Sequence, residues 1–237
     1  MWAGERRSRS QRVLDRLPDA RGRRVILVSH CLLNQNTRYA GGATREGAVA
    51  ELVGELVAAG YGIHQLPCPE RHAWGGVLKR RTLWLYGAKG GPLYPLRAAL
   101  LRVFVWWTRI VYWRLARRVA RDVADYQRSG MTVVGLVGVG ASPSCGVATT
   151  LDLRASLDAL AACPAAALTP EFMNEQAVLG CRLPGEGLFI RALDRQLGRR
   201  GIAVPALEHD LAGELHGSRE ALLGRSAGRT LGATRAG

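Results

Sequence analysis

Acidic side chains are scarce in this chain of 237 residues, with 19 Asp and Glu against 33 Lys and Arg. The formal net charge is +14 and the pI is near 10.7. That balance points to an anionic partner such as nucleic acid, a nucleotide or an acidic membrane surface, without choosing among them. Cysteine is sparse as well. Cys31, Cys68, Cys145, Cys163 and Cys181 are odd in number and widely spread, which excludes a short disulfide framework. The apolar stretch that a secretory signal needs is missing from Met1 to Arg24, and Glu5, Asp15 and Asp19 speak against an Arg-rich organellar leader. A reducing, cytoplasmic setting is the resulting expectation. There, cysteines bind metal or react more often than they form bridges. Internal repeats are absent too.

What remains is an ordinary globular balance, 48% hydrophobic and 22% charged residues, on a length that suits one domain. Met1 to Arg24 reads as a basic arm and Arg225 to Gly237 as a disordered tail. Between them, short apolar runs alternate with helical periodicity. Val25 to Ser29, Ile63 to Leu66, Thr132 to Val139 and Ile202 to Leu207 read as strands, and the Ala-rich Ala165 to Leu168 as a weaker one. Arg45 to Ala59, Leu96 to Arg128, Leu151 to Ala162 and Leu188 to Arg199 read as helices. The alternation predicts an α/β fold, Rossmann-like, with a mostly parallel sheet flanked by helices and one long aromatic and basic helix inserted. In such sheets ligands sit beyond the carboxyl ends of the strands. Cys31, Cys68 and Cys145 each follow a separate strand, so they are expected to meet on one edge. Cys163 and Cys181 do not share that placement.

Three motifs carry these cysteines: Ser29-His30-Cys31-Leu32-Leu33-Asn34, Cys68-Pro69-Glu70 and Ser142-Pro143-Ser144-Cys145-Gly146. Thiolates are soft ligands that select zinc, copper(I) or iron–sulfur clusters. Taken singly, each cysteine also reads as a small buried hydrophobe, and Glu70 as a helix cap or an ion-pair partner.

In this order the motifs resemble the TudS-like thiouracil desulfurase family, and SHCLLNQNTRY is similar to its putative desulfidase branch. Gly185 to Ile190 and the later RGIAVP resemble the family's end. The likeness spans about Val25 to Asp210 within a domain taken as 25–224. It implies a [4Fe–4S] cluster held by Cys31, Cys68 and Cys145. The open iron would take the sulfur of a small thiolated substrate, a thiolated base or related thiocarbonyl compound, and water would replace that sulfur. It also implies Glu70 as acid/base and Ser142 as a polar helper. A carboxylate near an apolar cluster can have a raised pKa suited to that role. Three positions depart from the pattern. Asn34 replaces the usual Gly after Cys-Leu-Leu, Ala40 replaces the Asp after Arg-Tyr, and His30 replaces a small residue.

Two other classes stay open on the residues alone. One is a non-enzymatic cysteine–metal module, zinc or iron–sulfur. The other is a basic protein that uses the helix bearing Trp106, Trp107 and Trp113 on RNA or a membrane surface. That helix is too charged to span a bilayer. Asp122 and Asp125 further along it favour cover by the protein's own sheet or a second subunit, with Arg102, Arg109 and Arg117 in water.

Overall fold

The computed structural model describes residues 9–211, 214 and 229–232. Its central sheet is built on β1 (Arg24–Val28), β2 (Gly62–Gln65), β3 (Thr132–Val139), β6 (Val204–His209) and β7 (Arg229–Leu231). They lie in the order β2-β1-β3-β6-β7. The first four are mutually parallel, and β7 runs antiparallel along the outer edge of β6. A separate antiparallel pair joins β4 (Thr149–Leu151) to β5 (Arg182–Pro184).

The strand sequences explain this placement. Val25, Ile26, Leu27 and Val28 are all buried, without alternation, because β1 is covered on both faces. The same holds for most of β3. β2, with Gly62 and His64, is only partly covered, as befits an edge. The chain leaves β1 for a neighbour on one side, and β3 sits on the other. The loops after β1 and β3 therefore diverge and open a crevice at the carboxyl edge of the sheet.

The helices are α1 (Arg9–Asp15), α2 (His30–Leu33), α3 (Ala50–Ala58), α4 (Pro69–Ala73), α5 (Arg97–Arg128), α6 (Leu153–Ala162) and α7 (Leu188–Gly198). α5 packs against α7, α4 and α6 and on β3. Its buried row is Leu101, Thr108, Tyr112, Ala116, Val119 and Val123, spaced for one helical face. Tyr112 meets Phe189 of α7 edge-to-face at 6.3 Å between ring centroids. Gly130, with φ +73°, turns the chain out of α5 into β3.

Several expectations change. Ala165–Ala167 forms a 3-10 turn, not a strand; alanine offers a sheet little side-chain packing. The sixth helix begins at Leu153, because the Asp152 carboxylate accepts the N–H groups of Arg154 and Ala155 and caps it. Thr149–Leu151, just before it, is strand. The third helix starts at Ala50, not Arg45. Arg229–Leu231, expected within a disordered tail, closes the sheet as β7, with Leu231 fully buried. The remainder of that tail and the start of the basic arm lie outside the described residues. α5 does bury one face, yet Trp106 stays 62% exposed, so the rest of the described protein leaves that tryptophan largely uncovered.

Candidate active site

The three sequence motifs come together at the carboxyl ends of β1, β2 and β3. Cys31 sits in α2, one turn past β1. Cys68 is the N-cap of α4, its Sγ accepting the Arg71 N–H at 3.4 Å. Cys145 lies in the loop after β3. Its carbonyl accepts the Val139 N–H at 2.9 Å, and its own N–H donates to Ser142 Oγ at 3.0 Å. All three thiols border one cavity of about 100 Å³, together with Glu70, Ser142 and Ser144. Cys163 and Cys181 lie elsewhere, with Sγ on the carbonyls of Pro164 and Gln176.

Backbone packing around Cys145 is tight. A Cβ on Gly138 would stand 2.5 Å from the Cys145 carbonyl oxygen, and one on Gly187 would stand 2.5 Å from the Ser144 carbonyl. Glycine at both places lets the Ser-Pro-Ser-Cys loop settle on the start of α7. There the Pro143 and Ser144 carbonyls accept N–H groups of Leu188, Phe189 and Ile190. A second brace comes from Glu208 on β6. Its carboxylate accepts the N–H groups of Val147, Ala148 and Thr149 at 2.7–2.9 Å.

Glu70 is held from two sides. Ser144 Oγ donates to its Oε1 at 2.8 Å, and Lys79 Nζ forms an ion pair with its Oε2. Burial would lower the Lys79 pKa, but Glu70 outweighs it, and the ammonium stays charged. The Lys79 ammonium also lies 5.9 Å from the Tyr39 ring centroid and 5.8 Å from that of Trp74. Lys79 adopts a left-handed backbone, φ +51°, the kind of conformation that persists only where surrounding structure enforces it. Sequence reasoning missed both Lys79 and Ser144. Ser142, expected as the polar helper, instead spends its hydroxyl oxygen on the N–H groups of Ser144 and Cys145. Ser144 is the hydroxyl that reaches Glu70.

The departures from the motif pattern have local explanations. Asn34 caps the turn Gln35–Thr37 through its Oδ1. Ala40 is exposed and is not among the cavity-lining residues. His30 borders the cavity, and its pKa is lowered by burial, then by Arg71 and His72, which keeps the ring neutral.

Burial pushes all three thiols up: Cys31 above its ordinary value, Cys68 to about 12, and Cys145 well above the ordinary thiol. Arg38 and Lys79 partly counter this at Cys31, while Glu70 adds to it at Cys68. Such thiols ionise when a bound cation supplies the missing positive charge. The donor set is thus soft and thiol-only, with Cys68 and Cys145 buried and Cys31 half-buried, which suits a thiophilic metal. Among the described residues, no three His, Cys, Asp or Glu side chains are grouped to hold a single metal ion. The three thiols instead border one cavity from three separate segments, those that follow β1, β2 and β3.

No protein-family model matches the chain, and no solved structure does. Over 50 residues, 21% of its length, the chain is 50% identical to an uncharacterized protein of Methanocaldococcus jannaschii. That stretch covers 32% of the archaeal protein, so the chain spans about a third of that relative's length.

Proposed function

We propose that this protein is an iron–sulfur-dependent desulfidase acting on a small thiocarbonyl compound such as a thiolated base. The observation that carries the reading is the meeting of Cys31, Cys68 and Cys145 around one cavity with Glu70. The motif resemblance supplies the chemistry. Cys31, Cys68 and Cys145 would hold a [4Fe–4S] cluster, which would supply a soft Lewis acid for a thiocarbonyl sulfur. The same reading takes 25–224 as a single Rossmann-like domain in a reducing cytoplasm. All five cysteines are free, which agrees with that setting.

The remaining work falls to the chain's own groups. Glu70 Oε1, held by Ser144, is the base that takes a proton from the attacking water. Lys79, paired with its Oε2, keeps that carboxylate oriented between turnovers. Leu151, Leu157, Leu160, Met173 and Val178 give the cavity an apolar wall, which suits a flat heteroaromatic ring and limits bulk water.

Anaerobic reconstitution with iron and sulfide tests the proposal. Brown protein should release sulfide from a thiolated base. Cys31→Ala, Cys68→Ala and Cys145→Ala should each lose the cluster, whereas Cys163→Ala and Cys181→Ala retain it. Glu70→Gln should keep iron and sulfide while turnover falls about 10²–10⁴-fold, the usual span of general acid–base catalysis. Full loading in Cys68→Ala would sink the ligand assignment. A colourless, zinc-loaded protein would move the reading to a non-enzymatic metal module.

A further inference from the structure

Trp106, Trp107 and Trp113 are 62%, 38% and 42% exposed along α5, and Val103 is 64% exposed. Helical spacing puts Leu96, Val103, Trp106, Ile110 and Trp113 on one face, turned away from the buried row through Tyr112. α5 is therefore apolar on two sides over its first half. This second face runs about 25 Å at 1.5 Å per residue. Single exposed hydrophobes need no explanation, but a continuous stripe of this length does.

The charge around it is one-sided. From Arg71 to Arg121 the sequence carries twelve Lys and Arg and no Asp or Glu. Among the described residues, Lys79 and Arg97 are the two of these twelve that form ion pairs, with Glu70 and Asp158. At Trp113 the stripe meets a groove of about 440 Å³ between α5 and α7, lined by Arg109, Arg191, Arg195 and Arg199. No carboxylate is among the described residues that line it.

We propose that this face of α5, with the arginine groove at its end, docks on the headgroup layer of an anionic phospholipid bilayer. Tryptophan suits that depth, since its ring is apolar and its indole N–H can stay wet. Arginine stems lie along apolar surface while their guanidiniums reach phosphate. Two other occupants fit less well. A second copy meeting the same face would bring two sets of arginines together. A nucleic acid would satisfy the arginines and stack on the tryptophans, but Leu96 and Val103 offer no stacking plane and would stay in water. Asp122 and Asp125 do not oppose docking, because they stand in the last turns of α5, beyond the stripe, and Asp125 is paired with Arg128.

Flotation of the full chain with vesicles decides this. The protein should rise with vesicles containing phosphatidylglycerol at low salt, stay behind with pure phosphatidylcholine, and be released by high salt. Arg191→Gln and Arg195→Gln should weaken binding roughly fivefold each. Trp106→Ala and Val103→Gln should each abolish co-flotation, and neither should shift the melting transition, since both side chains are mostly in water. Three results would overturn the proposal: failure to float with the anionic vesicles, equal binding to phosphatidylcholine, or a wild-type dimer that Trp106→Ala dissociates. Complete displacement from vesicles by a single-stranded oligonucleotide, with Trp106→Ala losing that oligonucleotide as well, would transfer the face to nucleic acid.

Discussion

Lys79 and Glu70 form the most consequential pair of side chains in the cavity. The Lys79 side chain is 6% exposed and that of Glu70 12%. Removing one partner of such a pair leaves the other as an uncompensated buried charge, which costs about 3–5 kcal/mol. Lys79→Met should therefore lower the unfolding free energy by that amount, measured by urea titration of metal-free protein. Adding Glu70→Gln should restore most of the loss, because the remaining carboxamide is neutral. A single-variant loss below about 1 kcal/mol would mean that water reaches the carboxylate. Glu70 was legible in the sequence, since it follows Cys68 and Pro69 directly. Lys79 was not. One Lys in a run of basic residues carries no mark of burial, and its return to the cavity depends on the reversal at Gly75 and Gly76, with φ of +89° and +90°.

At the scale of elements, the Ser-Pro-Ser-Cys loop and α7 form one unit. The loop's carbonyls cap the helix, and Gly187 lets the two approach. Gly187→Ala would press a methyl group against the Ser144 backbone, which cannot move aside as a flexible side chain would. We expect a stability loss of about 1–3 kcal/mol, together with reduced iron retention because Cys145 is the next residue in the displaced loop. Thermal melting and iron quantification on the same preparation check both halves. The motif marked the loop as special, but nothing in the sequence linked Gly187 to it across more than forty positions. That link exists only because the loop after β3 and the start of α7 are hydrogen-bonded to each other in the folded chain.

Across the whole molecule, Glu214 ties distant segments together. Its Oε1 accepts Arg45 Nη2 at 2.9 Å and lies 2.8 Å from His209 Nε2, while Oε2 accepts the Thr44 hydroxyl at 3.2 Å. The loop before α3 is thereby fastened to the end of β6. Burial alone would raise the Glu214 carboxyl, but the bonds from Arg45 and His209 outweigh it and hold the pKa below the ordinary value. A depressed folded-state pKa stabilises the protein above the unfolded value, and the contribution disappears as pH falls through the folded one. Glu214→Gln should thus be less stable than wild type by about 1–3 kcal/mol near neutrality. The gap should narrow as pH drops from about 5 towards 3. Denaturant midpoints collected across that range test it, and a gap that persists unchanged at the acid end would exclude ionisation of Glu214 as its source.

The alternation of elements was legible along the chain, because core-facing side chains repeat with the period of the backbone that carries them. The four parallel strands, the long helix from Leu96 to Arg128 and the positions of Cys31, Cys68 and Cys145 after strand ends all follow from that local rule. Tertiary structure alone decided the partners. Ser144 rather than Ser142 reaches Glu70, Lys79 returns to the cavity, Glu208 braces the loop after Cys145, and Arg229–Leu231 completes the sheet. It also decided which side of α5 is buried. That helix carries two apolar faces, periodicity weighs both alike, and only the packing of α4, α7 and β3 leaves Trp106 in water.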